Sequence, residues 1–104
     1  MDIQIKRGLL DFCVLAAIKD NDSYGYRIIK DISPYISVSE STLYPILRRL
    51  EASNYLTVYS IEHNGRLRKY YSITTLGRER LDSFEEERKA IVSICDFITG
   101  GDKL

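Results

Sequence analysis

Residues 37–56 read SVSESTLYPILRRLEASNYL, and the rest of the chain is organised around them. At helical spacing Leu43, Ile46, Leu47 and Leu50 share one face, while Ser41, Thr42, Pro45, Arg48, Arg49 and Ala52 share the opposite one. Such a helix docks on a core by its apolar stripe and turns a small, hydroxylated and basic surface outward, a shape suited to a groove. Ser37 or Ser39 is the expected cap, and Ser37 with Glu40 three residues on fits a capping box. Pro45 lies beyond the first turn under either cap. It removes one backbone hydrogen bond, which predicts a bend or a start delayed to Ser41.

Beyond Asn54, which ends that helix, the period changes from helical to alternating. Residues 56–62 and 67–73 flank Asn64-Gly65, a strong hairpin signal because a type I′ turn needs positive φ at both central residues. A two-residue loop there sets His63 opposite Arg66, Tyr59 opposite Tyr70, Val58 opposite Tyr71 and Leu56 opposite Ile73. Leu56, Val58, Tyr71 and Ile73 then form the face that meets the core. The tip carries His63, Asn64, Arg66, Arg68 and Lys69.

Upstream, a first helix is expected from about Gln4 to Lys19, with apolar residues on two faces. Ile5, Leu9, Phe12, Cys13, Ala16 and Ala17 mark one, and Leu10, Val14 and Ile18 the other, so the helix has two things to pack against. Ser23 is the expected cap of a second helix, YGYRIIKDI, which ends at Ser33-Pro34. A last helix begins near Thr74 or Thr75 and runs to Ile98, before Gly100-Gly101. Leu81, Phe84, Arg88, Ile91, Cys95 and Ile98 recur at alternating three and four, a heptad seam in which only Arg88 is polar. About 24 residues of helix span roughly 36 Å, more than a core this small covers, so part of the seam needs a second chain.

A chain of 104 residues holds one domain with one modest core, and 44% hydrophobic with 29% charged residues excludes disordered and fibrous classes. Fifteen basic and fifteen acidic residues cancel, so no global field advertises nucleic acid. Locally, acids gather in DSFEEE at 82–87 and bases in RLRK at 66–69. Eight tyrosines without a tryptophan suit surfaces half apolar and half wet. Cys13 and Cys95 are expected as reduced thiols, and no Cys or His cluster has metal-ligand spacing, so no metal or cofactor is expected. The first twenty residues fit neither a signal peptide nor a membrane span, which points to the cytoplasm.

This order is mainly α with a small β-hairpin: a winged helix-turn-helix over residues 1–74, whose first helix also reaches the dimer interface, then a dimerisation helix and short tail over 75–104, all one structural unit. STLYPILRRLE, followed after the hairpin by RKYYSITTLG, resembles the PadR family of bacterial transcriptional regulators, and SYGYRIIKDI is similar to that family's second helix. The single helix after the wing resembles the short subfamily. Membership implies a homodimer built through the last helix and helped by the first, repression of transcription from double-stranded DNA, and in some members control by a small molecule. Related short regulators hold flat aromatic compounds between the two copies. This sequence departs from that pattern in having no Trp and in placing Arg88 in the seam, where an anionic ligand, Glu85 or another seam-side acid across the dimer would be its partner.

Ser41, Thr42, Tyr44 and Arg48 are the expected contacts of the third helix with bases and phosphates. Arg66, Arg68 and Lys69 are expected to neutralise phosphates from the wing, and Tyr24 and Tyr26 to donate to phosphate from the start of the second helix. The blander readings are a solvated hairpin end, a Tyr44 half-buried beside the wing, and an Arg49 paired with a surface acid. The expected dimer contacts are Leu9, Phe12 and Cys13 with Leu81, Phe84, Arg88, Ile91, Cys95 and Ile98. The competing function is a winged-helix protein-interaction module without DNA binding, favoured by the neutral charge. An enzyme has little support: His63, the one histidine, has no nucleophile or carboxylate partner at a recognisable spacing.

Overall fold

Leu10, Val14, Leu15 and Ile18 lie at the centre of the core, each at most 1% exposed. The computed structural model describes residues 3–101; residues 1–2, and 102–104 of the expected tail, lie outside the described residues. Of the two apolar faces of α1 (Ile3–Ala17), the one carrying Leu10, Val14 and Ile18 turns inward. On the other, Ile5 and Ala16 are exposed and Leu9 and Cys13 half-buried.

α2 (Gly25–Ile32) and α3 (Glu40–Ala52) pack on α1 and on each other. All four apolar residues of the opening stretch, Leu43, Ile46, Leu47 and Leu50, are buried. The cap of α3 is Ser39, and the capping box from Ser37 does not form: the Ser39 hydroxyl lies 3.0 Å from that of Ser41 and 3.1 Å from that of Thr42. The helix starts at Glu40 and continues through Pro45 without a break. Pro45 is exposed, so the bond it removes, to the Ser41 carbonyl, is lost on the solvent side. At the far end Asn54 takes φ 63°, Asn54 N donates to Glu51 O and Tyr55 N to Leu50 O, a Schellman closure.

β1 (Leu56–His63) and β2 (Arg66–Ile73) pair antiparallel in the expected register, from Leu56 opposite Ile73 to His63 opposite Arg66. Asn64 and Gly65 have φ 52° and 78°, as the type I′ turn requires. Ser23 does not cap α2. Tyr24 occupies the cap position, and Ser23 forms an isolated antiparallel bridge to Tyr71, with its hydroxyl buried and unpartnered.

The last helix comes in two segments, α4 (Thr75–Asp82) and α5 (Phe84–Thr99). At the junction the Ser83 hydroxyl bonds the Arg80 carbonyl at 2.6 Å, a side-chain bond that competes with the helical ladder. α4 is capped by Thr74, whose hydroxyl accepts from Gly77 N and donates to the Asn54 carbonyl. It packs against α1, whereas no residue of α5 is buried. A radius of gyration of 15.9 Å and a longest extent of 61 Å fit a helix that projects from the body; a compact chain of this length has a radius near about 13 Å. Among the described residues no helix is long and apolar enough to cross a membrane.

Candidate nucleic-acid interface

α3 is fixed from behind by its buried leucines and by Arg49, which forms an ion pair with Asp11 of α1. Arg49 therefore points away from the outer face, and Ser41, Thr42, Tyr44 and Arg48 remain exposed there. The three hydroxyls of Ser39, Ser41 and Thr42 cluster at the helix N-terminus, where backbone N–H groups and the helix dipole favour an anion.

The hairpin presents its bases on two faces because strand side chains alternate. Lys69 shares a face with Tyr71 and flanks, with Arg48 of α3, one shallow depression of about 210 Å³. Arg66 and Arg68 stand on the other face. The Arg68 guanidinium lies 4.2 Å from the centroid of the Tyr24 ring, and Tyr70 meets that ring edge-on at 5.5 Å. Tyr24 is thus engaged in holding the wing, while Tyr26 is 68% exposed beside it.

An open groove of about 880 Å³ runs between the N-terminus of α2, Tyr44 of α3 and the wing. It brings together Tyr24, Tyr26, Tyr44, Arg66, Arg68 and Lys69. Ser41, Thr42 and Arg48 continue the surface along α3, outside the groove. Three bases face one acid there, Glu40, so the site is locally positive although the chain is neutral. Two contributors escaped the sequence reading. Leu67, 76% exposed, lines the groove from the Lys69 face of the wing, where strand alternation places it. Gly25 lies beneath Tyr44, a contact no local pattern announces. Tyr71, at the base of the groove, has its hydroxyl pushed above the ordinary tyrosine range, first by burial and then by Tyr44 and Glu51.

The expected dimer residues divide. Phe12, 8% exposed, is covered by its own chain: its ring centroid is 4.7 Å from that of Phe84, and the Arg80 guanidinium lies 4.6 Å over it. Leu81 is likewise partly buried against its own core. Both meet their own chain because the beginning of the last helix folds back on α1. Ile91, Cys95 and Ile98 are exposed, and Val92, Ile94 and Phe97, absent from the seam read in the sequence, are exposed with them. Arg88 binds Glu85 through two hydrogen bonds, of 3.1 and 2.8 Å, and its guanidinium holds that carboxyl below the usual carboxylate range.

A helix pair with an exposed hydroxylated and basic second helix, a basic β-hairpin beside it and a projecting terminal helix define a winged helix-turn-helix protein. The chain belongs to the PadR-like family of transcriptional regulators, whose family model matches residues 14–83. Members of this family are regulators rather than enzymes. A transcriptional regulator of Mycobacterium tuberculosis is 31% identical over 99 residues, covering 94% of this chain and 90% of that one. The structure of a transcriptional regulator from Clostridium thermocellum superposes with a TM-score of 0.83 at 30% identity, covering 92% of this chain and 95% of that chain. Bacillus subtilis PadR, solved in complex with operator DNA, shares the fold: the TM-score is 0.67 at 22% identity, over 73% of this chain and 46% of that one.

Proposed function

We propose that two copies of this chain bind an inverted-repeat operator in double-stranded DNA and repress transcription in the cytoplasm. The observation that carries the proposal is the single groove that joins Tyr44 of α3 to Arg66, Arg68 and Lys69 of the wing. α3 would enter the major groove with Ser41, Thr42, Tyr44 and Arg48, while the wing bases neutralise phosphates. That Bacillus subtilis PadR, of the same fold, is found on operator DNA supports this use of the surface. Residues 1–74 would read the DNA, and α4 and α5 would bring two readers to the spacing of one helical turn, about 34 to 36 Å or a multiple.

The exposed apolar residues of α5 support association, with Ile5, Leu9 and Cys13 of α1 as the second surface. Arg88 is already paired with Glu85, which supports assigning the seam to dimerisation rather than to an anionic effector. Fluorescence anisotropy against the duplex upstream of the chain's own coding sequence, at several salt concentrations, tests the proposal. Affinity should fall steeply with salt and exceed that for unrelated duplex. Binding without salt dependence or sequence preference would leave the wing as a protein-interaction surface instead.

A further inference from the structure

Three consecutive residues between α1 and α2 hold the wing, each by a different kind of contact. Asp22 Oδ2 accepts a 2.6 Å hydrogen bond from the Tyr59 hydroxyl on β1. Ser23 N donates to Tyr71 O at 3.1 Å, and Tyr71 N to Ser23 O at 2.7 Å. Tyr24 packs edge-on to Tyr70 and carries Arg68 on its face. Tyr59 and Tyr70, opposite each other in the register, stack at 5.7 Å with 14° between planes. The contacts close a circuit from Asp22 through Tyr59 and Tyr70 back to Tyr24.

A two-stranded hairpin has little stability of its own, so its inclination is set by what grips its base. The Ser23–Tyr71 bridge grips β2, and Leu56 and Val58 seat the base of β1 on the core. The Asp22–Tyr59 bond adds a grip on β1 from the opposite face, beyond that base. We propose that Asp22 is a positioning residue for DNA binding: through the Tyr59 hydroxyl it sets the wing at the angle where Arg66 and Arg68 reach phosphates while α3 occupies the groove. This rests on the DNA-binding reading above.

Charge alone predicts the opposite sign. A carboxylate near the wing repels phosphates, so its removal should tighten binding to any duplex. If it positions the wing, its removal weakens binding, and only where wing and α3 must fit one duplex together.

The test uses the full chain, with anisotropy on the upstream duplex and on an unrelated duplex of equal length. Asp22→Ala and Tyr59→Phe should each weaken binding to the upstream duplex roughly three- to tenfold; on the unrelated duplex Tyr59→Phe should change nothing and Asp22→Ala, having lost a carboxylate, should bind as before or slightly tighter. Asp22→Asn, whose amide oxygen still accepts the hydrogen bond, should bind at least as tightly as the unsubstituted chain. The double variant should lose no more than either single one, because both remove the same bond. An Asp22→Ala chain that binds the upstream duplex as tightly as before overturns the inference. So does an equal loss on both duplexes, the signature of a damaged fold. If the unsubstituted chain shows no preference between duplexes, the DNA-binding reading itself falls, a result seen before any variant is compared.

Discussion

Tyr44 lies across Gly25. A Cβ at residue 25 would meet the Tyr44 hydroxyl oxygen at 2.6 Å and its Cζ at 3.1 Å, where the start of α2 meets the outer side of α3. The obstructing atoms are the far end of one side chain that is 39% exposed, so the ring can swing outward. Gly25→Ala should therefore cost stability only about 1 kcal/mol while pushing the ring into the DNA-facing groove. Urea denaturation should show the small loss, and anisotropy a much larger fall in operator affinity. A loss of more than about 3 kcal/mol would mean that Tyr44 is not free to move.

Gly77 is the opposite case. A Cβ there would lie 2.0 Å from the Tyr55 carbonyl oxygen and 2.8 Å from Ile73 Cγ1. The neighbour is backbone, held in place because Thr74 N donates to that same carbonyl and Gly77 N bonds the Thr74 hydroxyl. Gly77→Ala must displace the junction of wing and α4 and break the cap. It should cost about 3 kcal/mol or more, well beyond Gly25→Ala in the same denaturation series. The reverse order would sink the packing account.

These two glycines also show what the sequence discloses. The hairpin was legible pair by pair, because Asn64-Gly65 permits one turn and a two-residue loop permits one register. The stripe of α3 was equally plain, since four apolar residues at helical spacing have one side to hide on. Wherever a contact joins distant segments, local pattern is silent. Ser23 has the type and place of a helix cap yet bridges to β2, because its partner Tyr71 lies on a strand that only tertiary folding brings near. Two apolar faces on the first helix do not say which one its own chain covers, and Phe12, expected at a partner, meets Phe84 of its own chain. Residue type and order point to most of the residues that line the groove, whereas the circuit from Asp22 to Tyr24 joins distant segments and leaves no local signal.

The wing bases should be separable by salt. Arg66 is exposed and has no ion pair among the described residues, so Arg66→Ala should remove one phosphate contact. The slope of log affinity against log salt should drop by about one unit, with the stability of the chain unchanged. Arg68→Ala should lower the slope similarly and cost more operator affinity, because it also strips the cation from the face of Tyr24. Equal losses for the two variants would show that the stacking contributes nothing to wing posture.

The apolar side of α5 gives the last prediction. Ile91 is 46% exposed and beyond Phe84 every residue of α5 from 85 to 99 is exposed, so Ile91→Asp should leave the core standing and remove the association. Sedimentation should show a folded monomer in place of a dimer, with operator affinity falling because one copy reads only half a site. The thiol of Cys95 reports the same event independently. Cys95 is exposed on the single chain, so a second chain over α5 should protect it, and iodoacetamide should modify it much faster in Ile91→Asp. Cys13 is half-buried, and burial raises its thiol above the ordinary range, which leaves less thiolate at neutral pH. In Ile91→Asp its alkylation should stay slower than that of Cys95 and accelerate as pH rises, since the thiolate is the nucleophile. An unchanged dimer, or equal protection of Cys95 before and after the substitution, would move the interface off α5.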